Sequence, residues 1–407
     1  MKKLILASAV AAALSASTSF AESTTTNTSN WQGSFIFEGL YIDRSTAEEL
    51  EIPGMPAGGH GHGLEDGLQA GHSEVVVTGN ITEKLNARIT AAILEGEDGE
   101  AVTAELEEAY VESQGLLTDG LNLKAGRMYT DIGYHSNKHN HEWDFADQPL
   151  VYEGMFGEHA TGDGLQMQYV PATDTYMQFG SELFIDEEFP SGATDGAISA
   201  ATLYAKVGGD IGTDHSWLAG IGHWQAMDIT DRSSEAHDHG GGAAETPRFS
   251  GDSTINTVNA LYKWAPNGNA KERNLKLQFE YFQRNEDGQI DMVEEDGNFD
   301  ESSTYDGDQS GWYLQSVYQF RPQWRVGVRH DRLKIDNTGS DTDVLEEAEL
   351  LSEGHTPQRN SIMVDYSPRE YSRLRLQFNR DERSPVEDDQ VVLQYIHSFG
   401  SHGAHAF

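Results

Sequence analysis

Three histidines within seven residues, His135, His139 and His141, form the sharpest grouping of metal-ligating side chains in the sequence. Neutral imidazole is a common ligand for zinc, copper and nickel. A helical turn over 135–139 would set His135 and His139 on one face. His141 would then add a third nitrogen, and Glu142 or Asp144 an oxygen. Three protein ligands plus a water is a zinc arrangement that keeps one position open. The same chemistry recurs at His60 and His62, at His159, and at His237 and His239, each in a polar stretch rich in Asp and Glu. The chain has 16 histidines and no cysteine, so metal capture would rest on imidazole and carboxylate alone. No resident cofactor is required; Zn²⁺ is expected as a transported or loosely bound ion. His223 and His330 fall in strand patterns and read as structural.

A second set of candidates is basic. Arg325 and Arg329 alternate with Trp324, Val326 and Val328, and Arg373 and Arg375 alternate with Leu374, Leu376 and Phe378. Lys124 and Lys276 occupy the polar phase of two further alternating runs. Period-two alternation is a strand with one apolar and one polar face. An arginine on a lipid face would cost a few kcal/mol near a bilayer midplane. These six side chains are therefore expected to line the inside of a barrel.

The elements that would position them are strands throughout. The last stretch sets Val391, Leu393, Tyr395 and Phe399 against Gln394 and Ser398, and Phe407 closes it on the apolar phase. About sixteen such stretches follow one another from residue 33. Strand five is expected over Leu121–Met128. Strand four, near Ala104–Ser113, is blurred by Glu105, Glu107, Glu108 and Glu112. Long and short connections alternate, the long ones following strands one, five, nine, eleven and thirteen. That parity fits a membrane barrel with short periplasmic turns and long outer loops. An acidic outer loop is expected over Glu286–Asp308, and the histidine-bearing segment Tyr129–Thr161 falls in the third outer loop.

The start of the chain points to export. Lys2 and Lys3 precede an apolar run, Leu4 to Leu14, followed by Ser19, Phe20 and Ala21, as in a secretory signal peptide. The expected division is residues 1–21 as signal peptide, 22–32 as a periplasmic leader and 33–407 as the outer-membrane barrel. No later run is long and apolar enough for a membrane helix.

The 407 residues are 37% hydrophobic, include 42 glycines and carry a formal net charge of −40. Such a balance disfavours nucleic acid as a partner and favours cations. Outer-membrane lipid and divalent metal ions are the expected partners. A barrel accounts for the modest hydrophobic content, because only every second strand residue needs to be apolar. Without a Gly-x-Ser-x-Gly or a convincing Ser/His/Asp grouping, the sequence offers no case for an enzyme.

The run Leu123, Lys124, Ala125, Gly126, Arg127, Met128, Tyr129, a strand ending in Gly-Arg before the third loop, resembles the phosphate-selective porins. The His-rich loops and the ending Ser401, His402, Gly403, Ala404, His405, Ala406, Phe407 resemble a family of zinc-regulated outer-membrane proteins. The resemblance implies an all-β, porin-like transmembrane antiparallel barrel whose third loop folds inward and narrows the pore. It allows a homotrimer. The function it implies is a channel for small hydrophilic solutes linked to zinc uptake; a non-conducting adhesin or receptor barrel is the alternative.

Overall fold

The computed structural model describes residues 31–48, 50–56, 64, 66–94, 103–115, 117–157, 159–233, 245–294, 299–352, 354–369 and 371–400. The expected signal peptide, most of the leader, His60, His62, His237, His239 and the ending at Phe407 lie outside these.

The alternating runs become β1 (Gln32–Arg44), β2 (Gly67–Gln69), β3 (Ser73–Thr82), β4 (Leu85–Leu94), β5 (Thr103–Gln114), β6 (Leu121–Tyr129), β7 (Thr161–Tyr169), β8 (Tyr176–Phe184), β9 (Ala193–Thr194), β10 (Ala200–Ile211), β11 (His215–Ser233), β12 (Glu245–Trp264), β13 (Asn274–Glu294), β14 (Phe299–Arg321), β15 (Trp324–Gly339), β16 (Gln358–Arg369), β17 (Ser372–Glu382) and β18 (Asp388–Gly400). All eighteen belong to one sheet. β2 and β9 are rim pieces of three and two residues, which leaves sixteen strands for the wall. β1 and β18 pair antiparallel from Ser34–Gly400 to Arg44–Gln390, so the sheet closes on itself and leaves no edge between first and last strands. Each of the sixteen expected strands has its counterpart.

The two faces of the wall differ as the alternation requires. On β18, Val391, Leu393, Tyr395 and Phe399 are exposed, while Asp388, Gln390 and Gln394 are buried inside. On β17, Leu374, Leu376 and Phe378 face out; Arg375, Gln377, Asn379 and Asp381 face in. Aromatic side chains gather near the strand ends. Trp324 lies 4.7 Å from Tyr366 between ring centroids, and Phe35 lies 6.1 Å from Phe399. An apolar outer belt bounded by aromatic residues suits a bilayer.

One expectation fails here. Glu286–Asp308 is largely strand rather than loop. β13 and β14 remain paired as far as Val293–Phe299. The reason is a swap of faces along a continuous period of two. Leu275, Leu277, Phe279 and Tyr281 point outward in the membrane half, but Asn285, Asp287 and Gln289 occupy that face higher up. Inward, Phe282, Ile290 and Met292 follow Gln278 and Glu280, with Arg284 and Glu286 buried between them 4.0 Å apart. The outward face of β13 is apolar as far as Tyr281 and polar beyond it, the pattern of a strand that runs out of a bilayer into water.

Candidate functional site: a segment folded into the barrel

Between β6 and β7 the chain leaves the wall and runs inside it. Most of residues 129–160 are buried. Its entry is held by wall glutamates on two strands, β8 and β13. Glu182 of β8 accepts the Asp131 amide at 2.8 Å and the Thr130 hydroxyl at 2.5 Å. Glu280 of β13 accepts the amides of Tyr134 and His135 at 2.6 and 3.1 Å and the Tyr152 hydroxyl at 2.9 Å, and Tyr313 also donates to it. Buried carboxylates are tolerated only when so satisfied. Gly133 makes the turn between these anchors at φ +81°, and a Cβ there would lie 2.6 Å from Glu280 Oε2 and 2.7 Å from the Tyr152 hydroxyl. Gly133→Ala is therefore expected to weaken docking of the segment by about 1–3 kcal/mol. Proteolysis of the folded barrel would measure it, and cleavage within 130–160 unchanged from wild type would refute it.

Further along, helix α1 (Leu150–Phe156) is buried on every side. Leu150, Val151, Met155 and Phe156 pack with Met55, Phe282, Tyr313 and Leu333 in the largest apolar cluster of the structure. Burying such side chains contributes about 1.5–3 kcal/mol each. This core explains why the inner face of β13 turns apolar above the membrane.

The arginines of the sequence reading face inward and meet the acids of this segment. Arg325 reaches Asp144 at 2.9 Å and Asp365 at 2.5 Å; Lys276 reaches Asp144 at 2.8 Å. Arg329 reaches Asp147 and Asp331, both at 2.8 Å. Arg373 and Arg375 donate to the Trp143 carbonyl at 2.9 and 2.8 Å. Two further arginines complete the array. Arg359 contacts Asp147 at 3.3 Å and Glu153 at 3.0 Å, and Arg383 contacts Glu153 at 2.7 Å. Burial would raise the Asp144 carboxyl, but Lys276 and Arg325 outweigh it and hold it well below the usual range. Arg329 and Arg359 do the same for Asp147. Much of the basic wall is thus neutralised by the inserted segment. Lys124 sits on another part of the wall, 4.6 Å over the Tyr110 ring.

Towards the short turns, the underside of the segment and the wall enclose a cavity of about 520 Å³. Lys138, Lys263, Lys276, Arg325 and Arg373 contribute cations to it, and Glu142, Asp144, Asp210 and Asp214 contribute acids, so the basic excess is slight.

The histidines separate into two groups. Residues 135–139 form no helix. His135 packs among Trp143, Tyr152 and Tyr313, with centroids at 5.2, 5.0 and 6.4 Å. His159 stacks on Tyr129 at 4.6 Å and bonds to Asn140 at 3.0 Å. His139 and His141 lie together, 5.8 Å between rings, against Glu74 of β3 and Glu107 and Glu108 of β5. The shared face expected for His135 and His139 is not formed, because residues 135–138 make a single turn, closed by the Lys138 amide on the His135 carbonyl at 3.0 Å, that does not continue as a helix. His72, Glu74, Glu107 and Glu108 are the partners that sequence spacing did not reveal. The blurred pattern of β5 was the signal for Glu107 and Glu108. Opposite β4, the register slips from Thr90–Glu108 to Ala91–Leu106, a bulge at Glu107. The bulge turns both consecutive glutamates inward, where both are buried.

No family model matches the chain. An uncharacterized protein of Aquifex aeolicus (strain VF5) is 25% identical over 401 residues, spanning 92% of this chain and 78% of that protein. Among solved structures, an anion-selective porin from Comamonas acidovorans aligns with a TM-score of 0.53 at 12% identity, over 91% of this chain and 100% of its own. OmpT, an outer membrane protein of Vibrio cholerae, aligns at 0.52 and 11%, over 93% and 100%. The outer membrane channel DcaP of Acinetobacter baumannii aligns at 0.51 and 14%, over 91% and 96%. The fold is that of the porins. This porin-like barrel, with its apolar outer belt, belongs in a bacterial outer membrane. Its sixteen-strand wall and inserted third connection match the expected architecture.

Proposed function

We propose that this porin-like barrel is a passive channel for small hydrophilic solutes, and that divalent cations, zinc among them, are solutes it admits. The observation that carries the reading is the segment between β6 and β7, fixed inside the wall by Glu182, Glu280 and the arginine array. A loop held in this way sets the width and charge of a passage. Above the bilayer the outer faces of β13 and β14 expose Asp287, Asp306 and Asp308, and the whole chain carries −40. Acidic surfaces raise the local concentration of cations within a Debye length, about 8 Å at physiological salt. Basic groups around the cavity beneath the segment favour anions there.

Purified barrel in a planar bilayer is expected to give steady single-channel steps, and zinc-loaded medium is expected to feed a zinc-sensitive dye inside proteoliposomes. Strong anion preference from reversal potentials would remove the cation part of the reading. The complete burial of Arg284, Arg359 and Arg375 inside the wall favours a second reading, a closed receptor or adhesin barrel. Absence of any steps would select it.

A further inference from the structure

Where the inserted segment meets the wall, three buried polar atoms have no hydrogen-bond partner among the described residues: Glu74 Oε2 and Glu107 Oε2 of the wall and His139 Nδ1 of the segment. Their residues are 0, 5 and 4 % exposed. The nitrogen faces both oxygens. His139 Nδ1 lies 3.4 Å from Glu74 Oε2 and 3.6 Å from Glu107 Oε2. A tetrahedral zinc site with bonds of about 2.0–2.1 Å sets its ligand atoms about 3.3–3.4 Å apart. The imidazole nitrogen therefore stands close to ligand–ligand spacing from each of the two carboxylate oxygens.

Everything behind them orients them. The second oxygen of Glu74 contacts His141 Nδ1 at 3.0 Å. That of Glu107 contacts His72 Nε2 at 2.8 Å and accepts from the Tyr129 hydroxyl at 2.5 Å. His139 Nε2 lies 2.9 Å from Glu108 Oε2. A metal-bound imidazole commonly donates its other N–H to a carboxylate, which fixes the tautomer and leaves the first nitrogen as ligand. Arg88 Nη2 also lies 3.0 Å from that Nε2, while its Nε lies 2.7 Å from Glu108. Ligand-type atoms of His72, Glu74 and Glu107 also lie within 4.8 Å of one another, so His72 stands beside the same two carboxylates. With the imidazoles neutral, Glu74, Glu107 and Glu108 carry three negative charges against the one of Arg88. A dication would balance the remainder.

We infer that His139, Glu74 and Glu107 hold a resident divalent transition-metal ion, of which zinc is the type, with His72 or a water as fourth ligand, and that this ion fastens the inserted segment to β3 and β5. The site is closed off rather than open to a passage, so the ion is a clamp and not cargo. The inference stands apart from the solute the channel carries: a barrel that fails to conduct could still hold the ion, and a conducting barrel could lack it.

The test uses the detergent-solubilised full barrel, stripped with a chelator and titrated with zinc by calorimetry, with bound metal counted by mass spectrometry. Wild type is expected to take up about one equivalent. His139→Ala and Glu107→Gln are each expected to lose at least ten-fold in affinity, while His223→Ala, on β11 away from the segment and bonded to Asn256 at 2.8 Å, keeps the wild-type isotherm. Cobalt in place of zinc gives a check independent of variant folding: four-coordinate binding in wild type produces intense visible bands, and the chelator removes them. A wild-type barrel that binds no metal would overturn the inference and leave His139 as an imidazolium between carboxylates. Equal binding in wild type, His139→Ala and Glu107→Gln would overturn it as well.

Discussion

Asp147→Ala is expected to release the inserted segment while leaving the wall closed. Asp147 contacts Arg329 at 2.8 Å and Arg359 at 3.3 Å, and it accepts from Gln377 at 2.8 Å and Asn379 at 2.9 Å. Arg359 is fully buried and Arg329 nearly so. Removing the shared carboxylate leaves two guanidinium groups in the interior with part of their charge uncompensated. Breaking a buried pair in this way costs about 3–5 kcal/mol. The loss falls on docking of the segment, because the barrel strands are joined by their own ladders from β1 round to β18. The expected readouts are a larger and noisier single-channel conductance and protease cleavage within 130–160, with unchanged strand content by circular dichroism. A variant with wild-type conductance and wild-type resistance to cleavage would show that Asp147 does not hold the segment. Asp147→Asn should show a smaller effect, since the amide keeps a carbonyl oxygen for one arginine.

The wall was legible in the sequence because a membrane barrel imposes its pattern at every strand. Lipid admits only apolar side chains on one face, so Trp324, Val326 and Val328 disclosed where Arg325 and Arg329 must point. The same parity, carried back from Asp365 through Met363 and Ser361, reaches Arg359 and turns it inward. Glu286–Asp308 was misread for a physical reason. Above the bilayer the outer face meets water and the inner face meets α1, so polar residues take the outer positions and the stretch looks like loop. Glu107 was hidden by the bulge, which breaks the alternation on which the reading relied. The metal-type cluster joins residues 72, 74, 107, 108, 139 and 141 from three parts of the chain. Only the closure of the barrel and the inward fold of the third connection bring them together, and local spacing instead favoured His135.

His135 gives the segment a response to acid. It is buried, and its Nε2 has no hydrogen-bond partner among the described residues. Burial pushes the imidazole well below its ordinary value; His159, Lys276 and Arg329 push the same way, and Asp144 opposes them. The aromatic rings of Trp143, Tyr152 and Tyr313 around it offer no charge to pair with a proton, and Glu280 is engaged by backbone amides and tyrosine hydroxyls. In the released segment the imidazole titrates near its ordinary value of about 6.5. The released state therefore binds the extra proton, and stability of docking is fully present above about pH 6.5 and falls as the pH drops below it. At pH 5 the loss from this one group approaches about 2 kcal/mol. Asp144 and Asp147, held low by their arginine and lysine partners, remain charged across this window and contribute no change to it. Wild-type barrel is thus expected to become more open to protease within 130–160 between pH 6.5 and 5. His135→Phe fills the same aromatic pocket with a ring that cannot take a proton, and should flatten that response. An identical pH profile in wild type and His135→Phe would assign the acid response to other groups and remove His135 from it.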